Sequence, residues 1–314
     1  MSRSDDSLAT ALLVSRLATD GVEPLKASEY WPMSDSPGDL LGSTTADLVS
    51  LGFDEVLAER VARLLDRAVG LAFELERYRD AGIATVTVHD EGYPIRLRQR
   101  LGDKAPPLLH AAGTVGLLSV SGFGIVGSRS VSEEGAEVAR LVAERAVANS
   151  LPVVSGGARG VDQLAMAAAH DTGGCVTGVL ADSLMRTVSN ADTRRAVLNG
   201  STVLCTPYGP EAPFSVGTAM GRNKLIYALS TLTVVVASDE DTGGTWAGAV
   251  EALRGGFGRV VVWRGSGEGK GNAPLIRRGA IPLQRVESLD ELLAQPDNVG
   301  PTPAEPTQQA LSFG

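Results

Sequence analysis

Over the first eighty positions apolar residues recur every three or four places. The stretches SLATALLVSRLATDG (7–21) and DEVLAERVARLLDRAVGLAFELERYRD (54–80) carry this spacing, which predicts helices. Between them, WPMSDSPGDLLGSTTADLVSLGF (31–53) is broken up by Pro, Gly and Ser. The phrase DLVSLGFDEVLAERVARLL reads as a helix–turn–helix pair with a glycine in the turn. Residues 1–80 are therefore expected to form a small helical domain of SAM-like or helix-hairpin-helix-like type. It lacks a basic stripe, so a packing cap on the main domain is a better reading than a DNA-touching module.

Residues 81–122 read as a connector. ATVTV (84–88) is a short strand by alternation and β-branching, and Tyr93-Pro94 and Ala105-Pro106-Pro107 mark turns or extended pieces. From residue 123 the pattern changes to short apolar runs separated by helical segments. Strands are predicted at Phe123–Gly127, Pro152–Ser155, Cys175–Leu180, Thr202–Thr206, Thr233–Ala237 and Arg259–Trp263. Helices fit at Ser132–Ala148, Asp162–His170, Ala191–Leu198, Arg222–Leu229 and Trp246–Arg254. Near-continuous apolar strands belong to sheets covered on both faces. Their alternation with helices predicts an α/β fold built on a doubly wound, mainly parallel sheet over residues 123–293. Residues 294–314 are rich in Pro, Gln, Thr and Ala and read as a disordered tail.

In such sheets ligands bind outside the carboxyl ends of the strands, so the loops there are the candidate chemistry. The first is Gly127-Ser128-Arg129, followed by Ser130 and Glu133 at the spacing of a capping box. Arg129 either grips a phosphate bidentately or pairs with an acid such as Glu133. The second, Ser155-Gly156-Gly157-Ala158-Arg159-Gly160, has three glycines that let a ligand approach the backbone. Asp162 behind it suits a helix N-terminus better than catalysis. Arg222 and Lys224, around Asn223, fall at a predicted helix start, where cations make sense only beside an anion. Gly243, Gly244 and Thr245 offer a further backbone nest. Together these loops predict an extended phosphate-binding groove.

Composition then narrows the classes. The 314 residues carry a formal net charge of −9, so polyanion binding must come from a local basic patch. In the second loop no Gly-Lys-Ser/Thr follows the glycines, and that loop lacks the GxGxxG spacing, which disfavours a generic ATPase or dehydrogenase. His89, His110 and His170 are scattered, so no metal site is expected. No nucleophile elbow is present. Cys175 and Cys205 lie in apolar runs and read as buried thiols. The sequence shows neither a signal peptide nor an apolar stretch of membrane-spanning length. A cytoplasmic, non-membrane protein without a cofactor is expected.

The runs GIVGSRSVSEEGAEVARLVAERAVANSLPVVSGGARGVDQLAMAAAHDTGG and GRNKLIYALSTLTVVVA resemble the DprA/Smf family of DNA-processing proteins. The upstream GIATVTVHDEGYPIRLRQRLGDKAPPLLHAAG matches that family's lead-in, and the resemblance spans roughly residues 45 to 290. It implies a Rossmann-like domain that binds single-stranded DNA, dimerises and loads the RecA recombinase in natural transformation, as a chaperone of DNA and not a catalyst. It also implies that Arg129, Arg222 and Lys224, with Arg159 nearby, contact DNA phosphates. Three departures stand out. Thr218-Ala219-Met220-Gly221 occupies the place of the family's Phe-Pro, so a base-stacking aromatic is expected to be missing. The family's Tyr-Pro after the third sheet strand is absent, and no C-terminal winged helix follows Leu293.

A looser likeness, Gly243-Gly244-Thr245 with Glu251, echoes the LOG-type phosphoribohydrolases and gives the alternative of a nucleotide-binding enzyme or sensor, such as one used in phage defence. Finally, Gln308, Leu311 and Phe313 fit the Gln-x-x-Leu-x-Phe pattern of peptides that bind the sliding clamp.

Overall fold

A computed structural model describes residues 4–17 and 21–295. The clamp-like residues Gln308, Leu311 and Phe313 lie outside them. Nine strands form one sheet: β1 (Ile83–Thr87), β2 (Leu108–Gly113), β3 (Gly122–Val126), β4 (Val153–Ser155), β5 (Val176–Val179), β6 (Thr202–Thr206), β7 (Ser230–Val235), β8 (Arg259–Trp263) and β9 (Ile281–Leu283). Their order is β1-β2-β6-β5-β4-β3-β7-β8-β9. The seven strands from β6 to β9 in that order are parallel; β2 pairs antiparallel with β6, and β1 antiparallel with β2. The sheet is thus α/β, mainly parallel and Rossmann-like, as the alternation of apolar runs predicts.

The chain winds outward from β3 through β4 and β5 to β6, then crosses back to place β7 on the other side of β3. The crossing segment is the helix Val216–Leu229. Its Leu225, Ile226 and Leu229 pack on one sheet face with Val126, Val154, Val179 and Val235. Helices Glu133–Ala148 and Val161–Asp171 cover the other face, against Phe123, Ile125, Val153 and Val234. Neither face of the central strands meets water, which explains why they read as unbroken apolar runs.

The segment read as a connector does more than connect. It supplies β1 and β2 and the helix Ile95–Leu101, which the basic composition IRLRQRL conceals. Its arginines are used structurally: Arg100 donates to the carbonyls of Tyr227, Ala228 and Ser230. β9 is also absent from the sequence reading, because three residues, one of them Pro282, carry no alternation. Val261 pairs with Ile281 and Trp263 with Leu283.

Helices Asp5–Val14, Thr45–Ser50, Glu55–Leu65 and Ala68–Asp80 surround a core of their own. Gly52 turns between the second and third with φ +96°, a conformation that favours glycine. Leu108 of β2 enters this core. Trp31 Nε1 donates to Ala105 O at 2.8 Å, and Tyr30 OH meets His89 Nε2 at 3.1 Å. These contacts seat the helical unit on the β1–β2 side. Cys205 is buried, but Cys175 is only half-buried, since it precedes β5. Among the described residues no helix is long and apolar enough to cross a membrane.

Candidate functional site

The switch of winding direction between β3 and β7 opens a crevice at the carboxyl end of the sheet. The loops after β3, β4 and β7 converge there, and the first half of the 216–229 helix closes one side. The resulting cavity is about 450 Å³. Hydrogen bonds between loops hold its shape. Ser128 N donates to Ala237 O at 2.9 Å, and Val161 N to Ser128 O at 3.3 Å. Thr245 Oγ1 donates to Gly127 O at 2.9 Å, and Asn223 Nδ2 to Gly244 O at 3.0 Å.

These bonds revise several expected roles. Ser155 is fully buried and its hydroxyl donates to Ile125 O at 2.6 Å, so it braces β4 against β3 and does not face a ligand. Thr245 and Asn223 spend a polar group each on joining neighbouring loops. Gly156 N donates to Asp162 Oδ2 at 3.1 Å. Gly160, at φ +82°, lies against the backbone of Ser128 and Arg129, where a Cβ would collide. Ser132, not Ser130, caps the following helix, accepting from Gly135 N at 3.2 Å.

The largest correction concerns Arg222 and Lys224. Their helix starts at Val216, capped by Ser215 in a box with Thr218, so both lie well inside it. The argument from cations at a helix start does not apply. Arg222 is buried beneath the second loop, with Nη2 donating to Gly156 O at 3.0 Å. Burial lowers its pKa, against the charge of Asp162. Burial likewise pushes the Asp162 carboxyl up, opposed by Arg222 and by the amides of Ala158, Gly156 and Gly127. Lys224 lines a different cavity on the opposite side of the helix, beside Lys104 and Leu225.

Groups open to the crevice remain. Arg129 is exposed, and its guanidinium lies 5.6 Å from the ring centroid of half-exposed Phe214. Among the described residues neither Arg129 nor the exposed Arg159 has an ion-pair partner; Glu133 does not hold Arg129, and Arg159 stands on the loop after β4 without lining the cavity. The helix Gly243–Gly255 begins at the crevice, and Thr242 supplies no side-chain cap. Among the described residues no acceptor pairs its first amides, and Gly243, Gly244 and Thr245 line the cavity. At the floor, Tyr227 OH and Arg222 Nε are buried without a hydrogen-bond partner among the described residues. Asp239 is an acid on the rim. A site with free helix-start amides, a free guanidinium and an open aromatic face is suited to an anion attached to a flat ring. Phe214 was not singled out from the sequence because it stands eight positions before Arg222, outside the expected aromatic position; only the fold brings it to Arg129.

Glu251 lines a separate recess with Trp246, Arg254 and Arg278. It does not join Gly243–Thr245 in one site, so the phosphoribohydrolase likeness gains no geometric support. Among the described residues no cluster of His, Cys, Asp or Glu could hold a metal.

The family model for DNA recombination-mediator protein A matches residues 84–294. The chain belongs to that family. DNA processing protein DprA of Bacillus subtilis is 26% identical over 92% of this chain and 97% of its own length. In three dimensions the DprA structure from Streptococcus pneumoniae superposes with a TM-score of 0.70 at 24% identity, over 93% of this chain and 99% of that one. A Helicobacter pylori DprA structure, described for its unique single-stranded DNA binding mode, gives 0.55 at 20% identity, over 67% and 95%. The family match covers β1 to the last described helix, so the lead-in strands belong to the shared fold.

Proposed function

We propose that the chain binds single-stranded DNA in the β3/β7 crevice and passes it to the RecA recombinase, acting as a homodimer and as a binding protein without catalytic chemistry. The observation that carries the DNA reading is the pairing of Arg129 with Phe214 in the cavity that the uncapped start of the 243–255 helix also lines. The amides and Arg129 take phosphates, and the Phe214 ring takes a base by stacking. Arg159, exposed on the neighbouring loop, extends the cationic path. Family membership supports the recombination step, and the single-stranded DNA binding mode described for the Helicobacter pylori protein supports the ligand. Buried Arg222 serves this site from below: it fixes the Gly156 loop and adds positive potential, without touching the strand.

The test is fluorescence anisotropy of labelled dT oligomers with the full chain, against a thymidine monophosphate competitor, at rising salt. Binding through several phosphates predicts an affinity that falls steeply and linearly in log–log form, by about 0.7 per phosphate for a single strand. Tight, salt-insensitive binding of the mononucleotide with no oligomer binding would overturn the reading.

A further inference from the structure

The second large cavity, about 610 Å³, lies between the helical unit and the sheet, away from the β3/β7 crevice. Its volume falls in the range of about 300–1,000 Å³ typical of small-molecule sites. The walls are mainly apolar: Leu71, Leu75 and Tyr78 from the 68–80 helix, Leu25 from the chain before it, Leu108 at the start of β2, and Leu225 from the 216–229 helix. Four of these are at most 5% exposed. Both units thus contribute finished surfaces to a space that no side chain of the described residues fills.

The polar groups in it are unevenly satisfied. Arg77 is consumed by Glu211, at 2.6 and 2.9 Å, and by Glu74 at 2.7 Å. Lys224 is half-buried, yet among the described residues it has neither an ion-pair partner nor a hydrogen bond. Burial lowers the Lys224 pKa; the charge of Glu251 opposes that shift, and the smaller effect of Lys104 adds to it. Lys104 likewise lacks an ion pair; its ammonium lies 5.5 Å from the Phe257 ring centroid. The buried Ser15 hydroxyl, lining the same cavity, has no hydrogen-bond partner among the described residues. Half-buried Lys224 costs desolvation, and exposed Lys104 adds some repulsion to it. An anion beside Lys224 and within reach of Lys104 offsets both, while the apolar walls accept the body that carries it.

We propose that the interdomain cavity is a binding site for a small amphipathic anion, an apolar chain or ring with one carboxylate or phosphate head, seated with its head against Lys104 and Lys224. The site is independent of the DNA reading. It nevertheless shares a structural member with the crevice: Lys224 and Leu225 face the cavity from the helix whose Arg222 floors the crevice. A bound ligand holds that helix and the 68–80 helix together, so it fixes the helical unit on the sheet.

The experiment is isothermal titration of the full chain with decanoate, decanol and decyltrimethylammonium, each below its aggregation concentration, with thermal melts alongside. Decanoate is expected to bind and raise the melting temperature. Decanol, lacking the head charge, should bind about tenfold more weakly, the worth of a charge-assisted hydrogen bond. The cationic analogue should not bind. Lys224→Met should abolish the preference for decanoate over decanol, and Leu75→Trp should remove both by filling the cavity. The Lys224→Met comparison is a ratio within one protein and stands even if Leu75→Trp impairs folding. No decanoate binding, equal binding of all three amphiphiles, or an unchanged preference in Lys224→Met would each overturn the proposal.

Discussion

Two glycine-rich loops border the crevice, and they use glycine for opposite reasons. In the loop after β4, a Cβ on Gly156 would land in the Arg222 guanidinium, and one on Gly160 would strike the backbone of Ser128 and Arg129. In the loop after β7, Gly243 has open space around it, and Gly244 has nothing nearer than Asn223 Nδ2 at 3.5 Å. The first loop needs glycine to pack against its own protein. The second leaves its amides accessible to something else. A sequence rich in Gly after a strand therefore marks either a structural joint or a ligand surface, and here one of each sits on the same site.

Four substitutions would break or sharpen this contrast. The largest effect should come from Arg222→Ala, which strands the Asp162 carboxyl in the interior and empties the space under Gly156. A loss of about 3–5 kcal/mol is expected, read as a lower melting temperature by circular dichroism. A melting point equal to the parent's would show that the first loop is not a packed joint. Gly156→Ala should follow, with about 1–3 kcal/mol lost to overpacking in the same assay.

The other side of the contrast is read by binding rather than by melting. Phe214→Ala should weaken dT-oligomer affinity by about 1–3 kcal/mol, the worth of one stacked base, while leaving stability within about 0.5 kcal/mol. Arg129→Ala should lower affinity for every oligomer sequence and reduce the salt slope by about one contact, again with an unchanged melt. If Arg129→Ala bound as the parent does, that residue would leave the site.

The doubly wound sheet was legible because its central strands are buried on both faces, and burial writes itself as apolar runs. The edges were not. β1 was read from the alternation of ATVTV, but β2 follows Pro106-Pro107 in a stretch without alternation, and β9 is too short to show a period. Among candidate residues, Arg129 and Gly243–Gly244 stand where their loops predict. Arg222 and Lys224 did not, because a glycine before an arginine looked like a helix start when the helix had begun at Val216. Within one helix, neighbours two positions apart point to different cavities, and no linear motif records that. Phe214 shows the converse: its partner Arg129 is distant in the chain, so only the crossover from β6 to β7 joins them.

At the far edge of the sheet, β9 consists of Ile281, Pro282 and Leu283. Arg264 N donates to Leu283 O at 2.8 Å, so the backbone of Leu283, and by alternation that of Ile281, is turned inward to β8. Pro282 is the position turned outward, and it has no N–H to offer. An incoming strand would meet a carbonyl and a pyrrolidine ring instead of a donor–acceptor ladder. The sheet is terminated chemically at that border. Anything that adheres to this border must do so through side chains, because the ladder that would carry a shared sheet, and with it fibre growth, stops at Pro282.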